Sequence, residues 1–204
     1  MRLVAFVGLL ATLASAAPED PLPLANPGFE DGLVGWEVLD QGMSTLSSEQ
    51  AASGRASLKV VDASEQLGSD AVATALPIEG GEGYVLRGKA YPLQGEGLGI
   101  YVRLLDENRK LIGRGDEFQR GAPSRPVGQW VPFEVPVFAP PNARYLQLWI
   151  HSYAKARVTA HLDDFAVIKP LPTPPPWTPQ YKLRPDETAR LTAADVVGPD
   201  GLVY

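Results

Sequence analysis

The stretch from Asn26 to about Lys169 is written almost wholly in period two. "ASLKVVD", "GYVLRGKAYP", "LGIYVRLLDE", "QWVPFEVPVFAP", "RYLQLWIHSY" and "ARVTAHLDDFAVI" each alternate apolar with polar residues and are bounded by Gly, Pro, Asn or Asp. Alternation puts successive side chains on opposite faces of a strand, so each stretch can bury one face and wet the other. No segment holds a helical period. Twenty glycines and twenty prolines would break helices but suit many short strands joined by turns. Strands at this spacing predict an all-β domain, a β-sandwich or jelly roll. "DENRK", residues 106–110, reads as a polar hairpin tip between Leu104 and Leu111.

The two ends read differently. Arg2, the apolar run "LVAFVGLLATLA" and the small residues Ala14-Ser15-Ala16 form a signal-peptide pattern over residues 1–16, too short to span a bilayer. An uncleaved anchor is the alternative, without stop-transfer character to support it. Cleavage near Ala16 implies a secreted or periplasmic chain. Residues 170–180, "PLPTPPPWTPQ", cannot join a sheet ladder and read as an extended, semi-rigid linker. Residues 181–204 then look like the start of a further domain, or a short docking tail, too small to bury a core alone.

Composition and motifs exclude several chemistries. A net charge of −6 argues against nucleic acid or an anionic membrane surface as the main partner. With no cysteine, neither a disulfide framework nor a thiolate zinc site is available. Only His151 and His161 are present, and there is no GxSxG, no HExxH and no phosphate-cradling loop opening a helix. Glycosidase chemistry needs two carboxyls facing each other across a bond. Asp163 and Asp164 are adjacent on an expected strand, so they are expected to point to opposite faces. The chain carries no recognisable catalytic constellation.

Four stretches bear a resemblance in the right order: "NPGFEDGLVGW" at 26–36, "ASGRASLKVV" at 52–61, "GQWVPFEVPVFAPPNARYLQLWI" at 128–150 and "HLDDFAVI" at 161–168. Together they resemble the carbohydrate-binding modules of families 4, 9 and 22, which are fused to polysaccharide-degrading enzymes. The resemblance spans most of residues 24–169. It implies a jelly-roll β-sandwich of two antiparallel sheets that binds glycan and brings an attached hydrolase or lyase to polysaccharide. It also implies a structural Ca²⁺ joining the opening segment to the last strand, held by the Glu30 side chain, carbonyls from Ser53 to Arg55, and Asp163 or Asp164. Ca²⁺ takes such mixtures of carboxylate and carbonyl oxygens. Strand parity favours Asp163, which shares a face with Phe165 and Val167. The alternative is that Glu30 and Asp31 are solvated turn residues.

Sugars are recognised by aromatic rings with polar groups alongside. Parity offers a set: Tyr101 and Arg103 on one strand, Gln147, Trp149 and His151 on another, and Arg87, Lys89 and Tyr91 on a third. If these strands lie in one sheet, the eight line one cleft, and its three cations suit an anionic polysaccharide or oligosaccharide. Trp36 and Trp130 are assigned to packing. The rival reading is a structural or adhesion sandwich of an exported multidomain protein, since fold does not fix function.

Overall fold

The computed structural model describes residues 21–169, together with the backbone of two short strands further on. Nine strands build the first unit: β1 (Trp36–Val38), β2 (Ser44–Ser47), β3 (Ser57–Asp62), β4 (Asp70–Ala73), β5 (Leu76–Pro77), β6 (Gly83–Leu105), β7 (Phe118–Gly121), β8 (Val131–Phe138) and β9 (Tyr145–Ile168). A second compact unit starts at Pro170 and contains the antiparallel pair β10 (Tyr181–Lys182) and β11 (Leu202–Val203). The leader, the proline-rich stretch and most of residues 183–204 lie outside the described residues.

All strand pairs are antiparallel, and two long strands organise them. The first half of β6 pairs with β8 and with the second half of β9, which also pairs with β3, and β3 with β2. The second half of β6 pairs with β7 and with the first half of β9, which also takes β4 and β5, and β4 takes β1. These are the two layers of the jelly roll, called here the back layer and the front layer. β6 and β9 pass from one layer to the other, so the expectation of four separate strands in these regions gives way to two bent ones. The bend in β6 falls at register shifts between Pro92 and Gln94 and between Glu96 and Leu98. Gly95 sits there at φ 72°, where a Cβ would come within 1.6 Å of the Arg157 carbonyl oxygen of β9. Only glycine allows that crossing.

One core lies between the layers. Leu58, Val60, Leu86, Phe133, Val135, Leu162 and Val167 from the back face Ile100, Val102, Leu146, Leu148 and Ile150 from the front, all within one buried cluster. These are the inward positions that alternation marks. The opening "NPGFEDGLVGW" packs as expected onto the closing "HLDDFAVI". Phe29 is fully buried, 4.9 Å from Trp36 and 6.1 Å from Phe165 between ring centroids, and the Phe165 amide donates to the Pro27 carbonyl at 3.0 Å. The expected hairpin tip is also present, closed by Asp106 N–H to the Lys110 carbonyl at 2.9 Å. Trp130 packs outside the core. It stands half-buried on the outside of the back layer, with its ring 5.4 Å from that of Tyr91.

Candidate functional site

The outer face of the front layer carries a row of aromatic and polar side chains whose spacing follows from register. Along β9 the outward positions are Tyr145, Gln147, Trp149, His151 and Tyr153, and β6 sets Leu105, Arg103, Tyr101 and Gly99 opposite the first four. Tyr101 and Trp149 are therefore direct cross-strand neighbours, with ring centroids 4.6 Å apart. The ring of Tyr101 leans over Gly99, where a Cβ would lie 2.5 Å from it. On the other side of β9, β4 and the residue before it pin two rings: Trp149 Nε1–H donates to Asp70 Oδ1 at 2.7 Å, and His151 Nδ1 lies 2.6 Å from the Ser69 carbonyl. A carbonyl can only accept, so Nδ1 carries the proton and Nε2 is left as the acceptor.

Trp149 is the centre of this row. Arg103, opposite Gln147, lays its guanidinium carbon 3.6 Å from the indole centroid. His151, two residues on along the strand, stacks at 4.5 Å with the planes 20° apart. The indole is thus flanked along the strand by a cation and an imidazole. Burial pushes the Arg103 pKa down and Asp70 opposes the shift, yet guanidinium stays protonated in proteins. Its Nε is buried without a hydrogen-bond partner. Tyr101 is only 2% exposed. Burial, and then its hydrogen bond to the hydroxyl of Tyr153, raise its pKa well above the ordinary tyrosine range. Tyr153 in turn donates to Gln119 Oε1 at 3.1 Å. Beside this row opens a cleft of about 500 Å³ bordered by Arg103, Gln147, Val72, Thr74, Glu37 and Arg109. Arg109, from the 106–110 turn, holds its guanidinium carbon 4.4 Å from the Tyr145 ring centroid.

Five of the eight expected residues come together here: Tyr101, Arg103, Gln147, Trp149 and His151. The other three do not, because β6 bends. Arg87, Lys89 and Tyr91 lie on its first half, outside the back layer. Arg87 pairs with Glu134 at 2.6 Å, Lys89 with Asp164 at 2.8 Å, and Tyr91 packs against Trp130 and, edge-on, against the buried His161. The expectation of one cleft with three cations is therefore corrected to two faces. Sequence reasoning missed Asp70, Arg109 and Tyr153, and it placed Tyr145 on the outward face without including it in the cleft. Tyr145 and Tyr153 share the parity of Trp149, a usable signal, whereas nothing in the turn sequence foretells that Arg109 folds back onto Tyr145.

The residues expected to hold calcium also meet, around the loop 52–56. Glu30 Oε1 accepts the Arg55 and Ala56 amides at 2.8 and 2.9 Å, and these bonds hold its carboxyl below the ordinary range. Asp163 is fully buried. Its Oδ2 accepts the Ala52 and Ser53 amides at 2.7 and 3.3 Å, and its Oδ1 accepts the Asp164 amide at 2.7 Å. Desolvation nonetheless pushes its carboxyl up, and the like charge of Asp164 adds to that. Burial would raise Asp164 too, but hydrogen bonds from Lys89 and Ser53 more than offset it and hold that carboxyl low. The expectation that Asp163 and Asp164 point to opposite faces fails, since Asp164 sits at φ 53° and both reach the same loop. A left-handed residue breaks the pleat on which parity rests. Gly54, itself at φ 61°, passes so close to Glu30 that a Cβ would lie 2.4 Å from its carboxyl. Among the described residues, no group of three or more acidic or histidine side chains converges as a metal cluster would.

No family model matches this sequence, and neither does any curated protein. Solved structures do. The CBM22-1 xylan-binding domain of Paenibacillus barcinonensis Xyn10C superposes with a TM-score of 0.52 at 19% identity, covering 76% of this chain and 97% of that one. The CBM22-1–GH10 modules of the Clostridium thermocellum endo-1,4-beta-D-xylanase 10B, complexed with xylohexaose, give 0.53 at 18% identity, over 71% of this chain and 28% of that one. The enzymatically active domain of bacteriophage CBA120 tailspike protein 4 gives 0.57 at 11% identity, over 71% and 21%. The described domain therefore has the jelly-roll sandwich fold that carbohydrate-binding modules share. The tailspike shows that this likeness is one of fold and carries no function by itself.

Proposed function

We propose that the domain of residues 24–169 is a non-catalytic glycan-binding module, acting on a polysaccharide or oligosaccharide through the outer face of the front layer. The carrying observation is the pinned row of Tyr101, Trp149, His151 and Tyr153, continued by Arg103 and Gln147, which line a cleft of about 500 Å³. Aromatic rings fixed beside hydrogen-bonding groups suit the mixed apolar and hydroxyl surface of a pyranose. The His151 Nε2 lone pair can accept a sugar hydroxyl, while Arg103 and Gln147 can donate to sugar oxygens. Of the three cations expected to favour an anionic chain, only Arg103 lies here. The leader and the sequence after residue 170 support export and covalent attachment to a glycan-degrading enzyme, the arrangement seen in the clostridial xylanase modules.

Affinity electrophoresis of the chain in gels holding xylan, galactan, β-glucan and pectate tests this reading. Retardation by at least one polymer is expected, and none by any overturns it. A specific observation favours the rival reading of a structural or adhesion domain: both sides of the Trp149 ring are already taken by Arg103 and His151. The same gels decide between the two.

A Ca²⁺ belongs to the proposal. The donor set fits in kind, because Asp163 is a buried carboxylate without an ion pair among the described residues, with Glu30 and Asp164 bound to the same loop. Glu30 and Asp163, with carbonyls from Ser53 to Arg55, would hold the ion, which would neutralise that charge and tie both ends of the domain together. At millimolar Ca²⁺ and a micromolar site, the linkage adds about 4 kcal/mol. EGTA should therefore lower Tm by about 8–16 °C; an unchanged Tm discards the ion.

A further inference from the structure

Two arginines border the front cleft, and each is held against an aromatic ring rather than against an acid. Arg103 lies over Trp149 and Arg109 over Tyr145, with guanidinium carbons 3.6 and 4.4 Å from the ring centroids. Every other arginine–carboxylate contact in the described domain is an ion pair at the surface: Arg55 with Glu30, Arg87 with Glu134, Arg114 with Asp116 and Arg157 with Glu65. Among the described residues neither Arg103 nor Arg109 forms such a pair. Nearby acids are otherwise engaged: Asp70 accepts the Trp149 indole N–H, and Asp106, in the turn of Arg109, accepts the Asn108 and Lys110 amides. Stacking fixes the plane of a guanidinium without using its N–H donors, and both arginines line the cleft. A planar edge of this kind matches the two oxygens of a carboxylate.

The net charge of −6 sharpens the point. Such a chain repels a polyanion at long range, although beyond about 8 Å that repulsion is largely screened at physiological salt. Two guanidiniums held on aromatic rings in one cleft, neither in an ion pair among the described residues, are a local provision for negative charge. On the glycan-binding reading, we infer that the cleft takes a uronate unit, so that the ligand is an acidic polysaccharide whose carboxylate lies between Arg103 and Arg109. Trp149 and Tyr145 are then platforms for the arginines, which accounts for an indole whose sides are occupied.

Methyl esterification removes the charge of a polyuronate and leaves its backbone intact, so the probes are pectate and fully methyl-esterified pectin, with a sulfated galactan as a third arm. Affinity electrophoresis or calorimetry on the full chain should show pectate preferred over the ester by about tenfold or more, the scale of one or two charge-assisted hydrogen bonds. In the Arg103→Gln/Arg109→Gln variant that ratio should fall to near one. Arg109→Gln alone, on an exposed turn, should lower it part of the way even if the double variant folds poorly. Equal binding of pectate and ester by the wild type overturns this inference and leaves the glycan-binding reading standing. Binding to none of these three polymers overturns the uronate inference, and the glycan-binding reading falls with it only if xylan, galactan and β-glucan also fail to retard the chain. A preference for the sulfated polymer over pectate, or a ratio unmoved by the substitutions, overturns the carboxylate assignment.

Discussion

The two outer faces of this sandwich are cut from the same pair of strands and use them in opposite ways. On the back, Arg87 meets Glu134, Lys89 meets Asp164 and Lys59 holds Glu49, so the charges of β6 and β3 are neutralised in place. On the front, the outward cation of the same strand, Arg103, meets an indole. Ion pairs satisfy a surface and leave little to offer a ligand, whereas a stacked guanidinium keeps its donors. Residue types on matching parity therefore cannot tell a binding face from a closed one. What distinguishes them is whether the neighbouring strand supplies an acid or a ring.

The largest effect expected of any substitution falls on the back, at the clasp. Asp163→Ala leaves the part-buried amides of Ala52, Ser53 and Asp164 without their acceptor. Orphaned buried donors cost roughly 1–3 kcal/mol, so a loss near 3 kcal/mol in urea unfolding is expected with an unchanged m-value. A loss below about 1 kcal/mol would show that the loop 52–56 is held by other contacts. Glycan affinity of the folded fraction should not move, because Asp163 lies in the other layer.

Trp149→Ala comes next, and it acts on binding. Removing the indole frees Arg103, His151 and Tyr101 at once, and central aromatic anchors are worth about 2 kcal/mol or more. An affinity loss of about 30-fold or more is expected by calorimetry. Full retention of binding in a folded variant would move the ligand off the front face and erase the contrast between the two faces.

How much of this contrast the sequence contains can be traced strand by strand. Alternation marked the inward residues of β3, β6, β8 and β9, because one buried face forces period two. The opening and closing segments were legible as partners through the family resemblance, and Phe29, Trp36 and Phe165 are the rings that meet there. The split of Arg87, Lys89 and Tyr91 from Tyr101 and Arg103 was not legible, because period two survives a strand that bends and changes layers. The shift of Asp164 was hidden for a related reason: parity presumes extended backbone, and one left-handed residue ends it. Arg109 depends on how a turn folds back, which local sequence does not encode.

Tyr101 gives a smaller effect and a pH signature confined to the front. Its folded pKa is raised by burial and by the Tyr153 hydroxyl, so unfolded chains lose this proton near the ordinary value of about 10 while folded ones keep it. The associated stability is thus present below about pH 10 and declines as pH rises beyond it. Ultraviolet titration should show one tyrosine lagging behind the others until the protein unfolds, and Tyr101→Phe should remove that laggard at a cost of about 1 kcal/mol. If all tyrosines titrate together near pH 10 in the folded state, the front row is more open than its contacts imply.

The smallest expected effect tests the back face at its surface. Arg87 is part-exposed and paired with Glu134, and exposed pairs contribute about 0–1 kcal/mol. Arg87→Gln should change stability by less than about 0.5 kcal/mol and leave the pectate-to-ester ratio untouched. The comparison turns on this weak substitution. Arg87 and Arg103 are the same residue type on the same strand with the same outward parity, so composition gives no ground for choosing between them. If Arg87→Gln lowers uronate affinity as far as Arg103→Gln does, polyanion binding follows total positive charge, and the stacking of Arg103 on Trp149 confers nothing. If only the front substitution acts, the bend in β6 has separated a cation that closes a surface from one that stays open to a ligand.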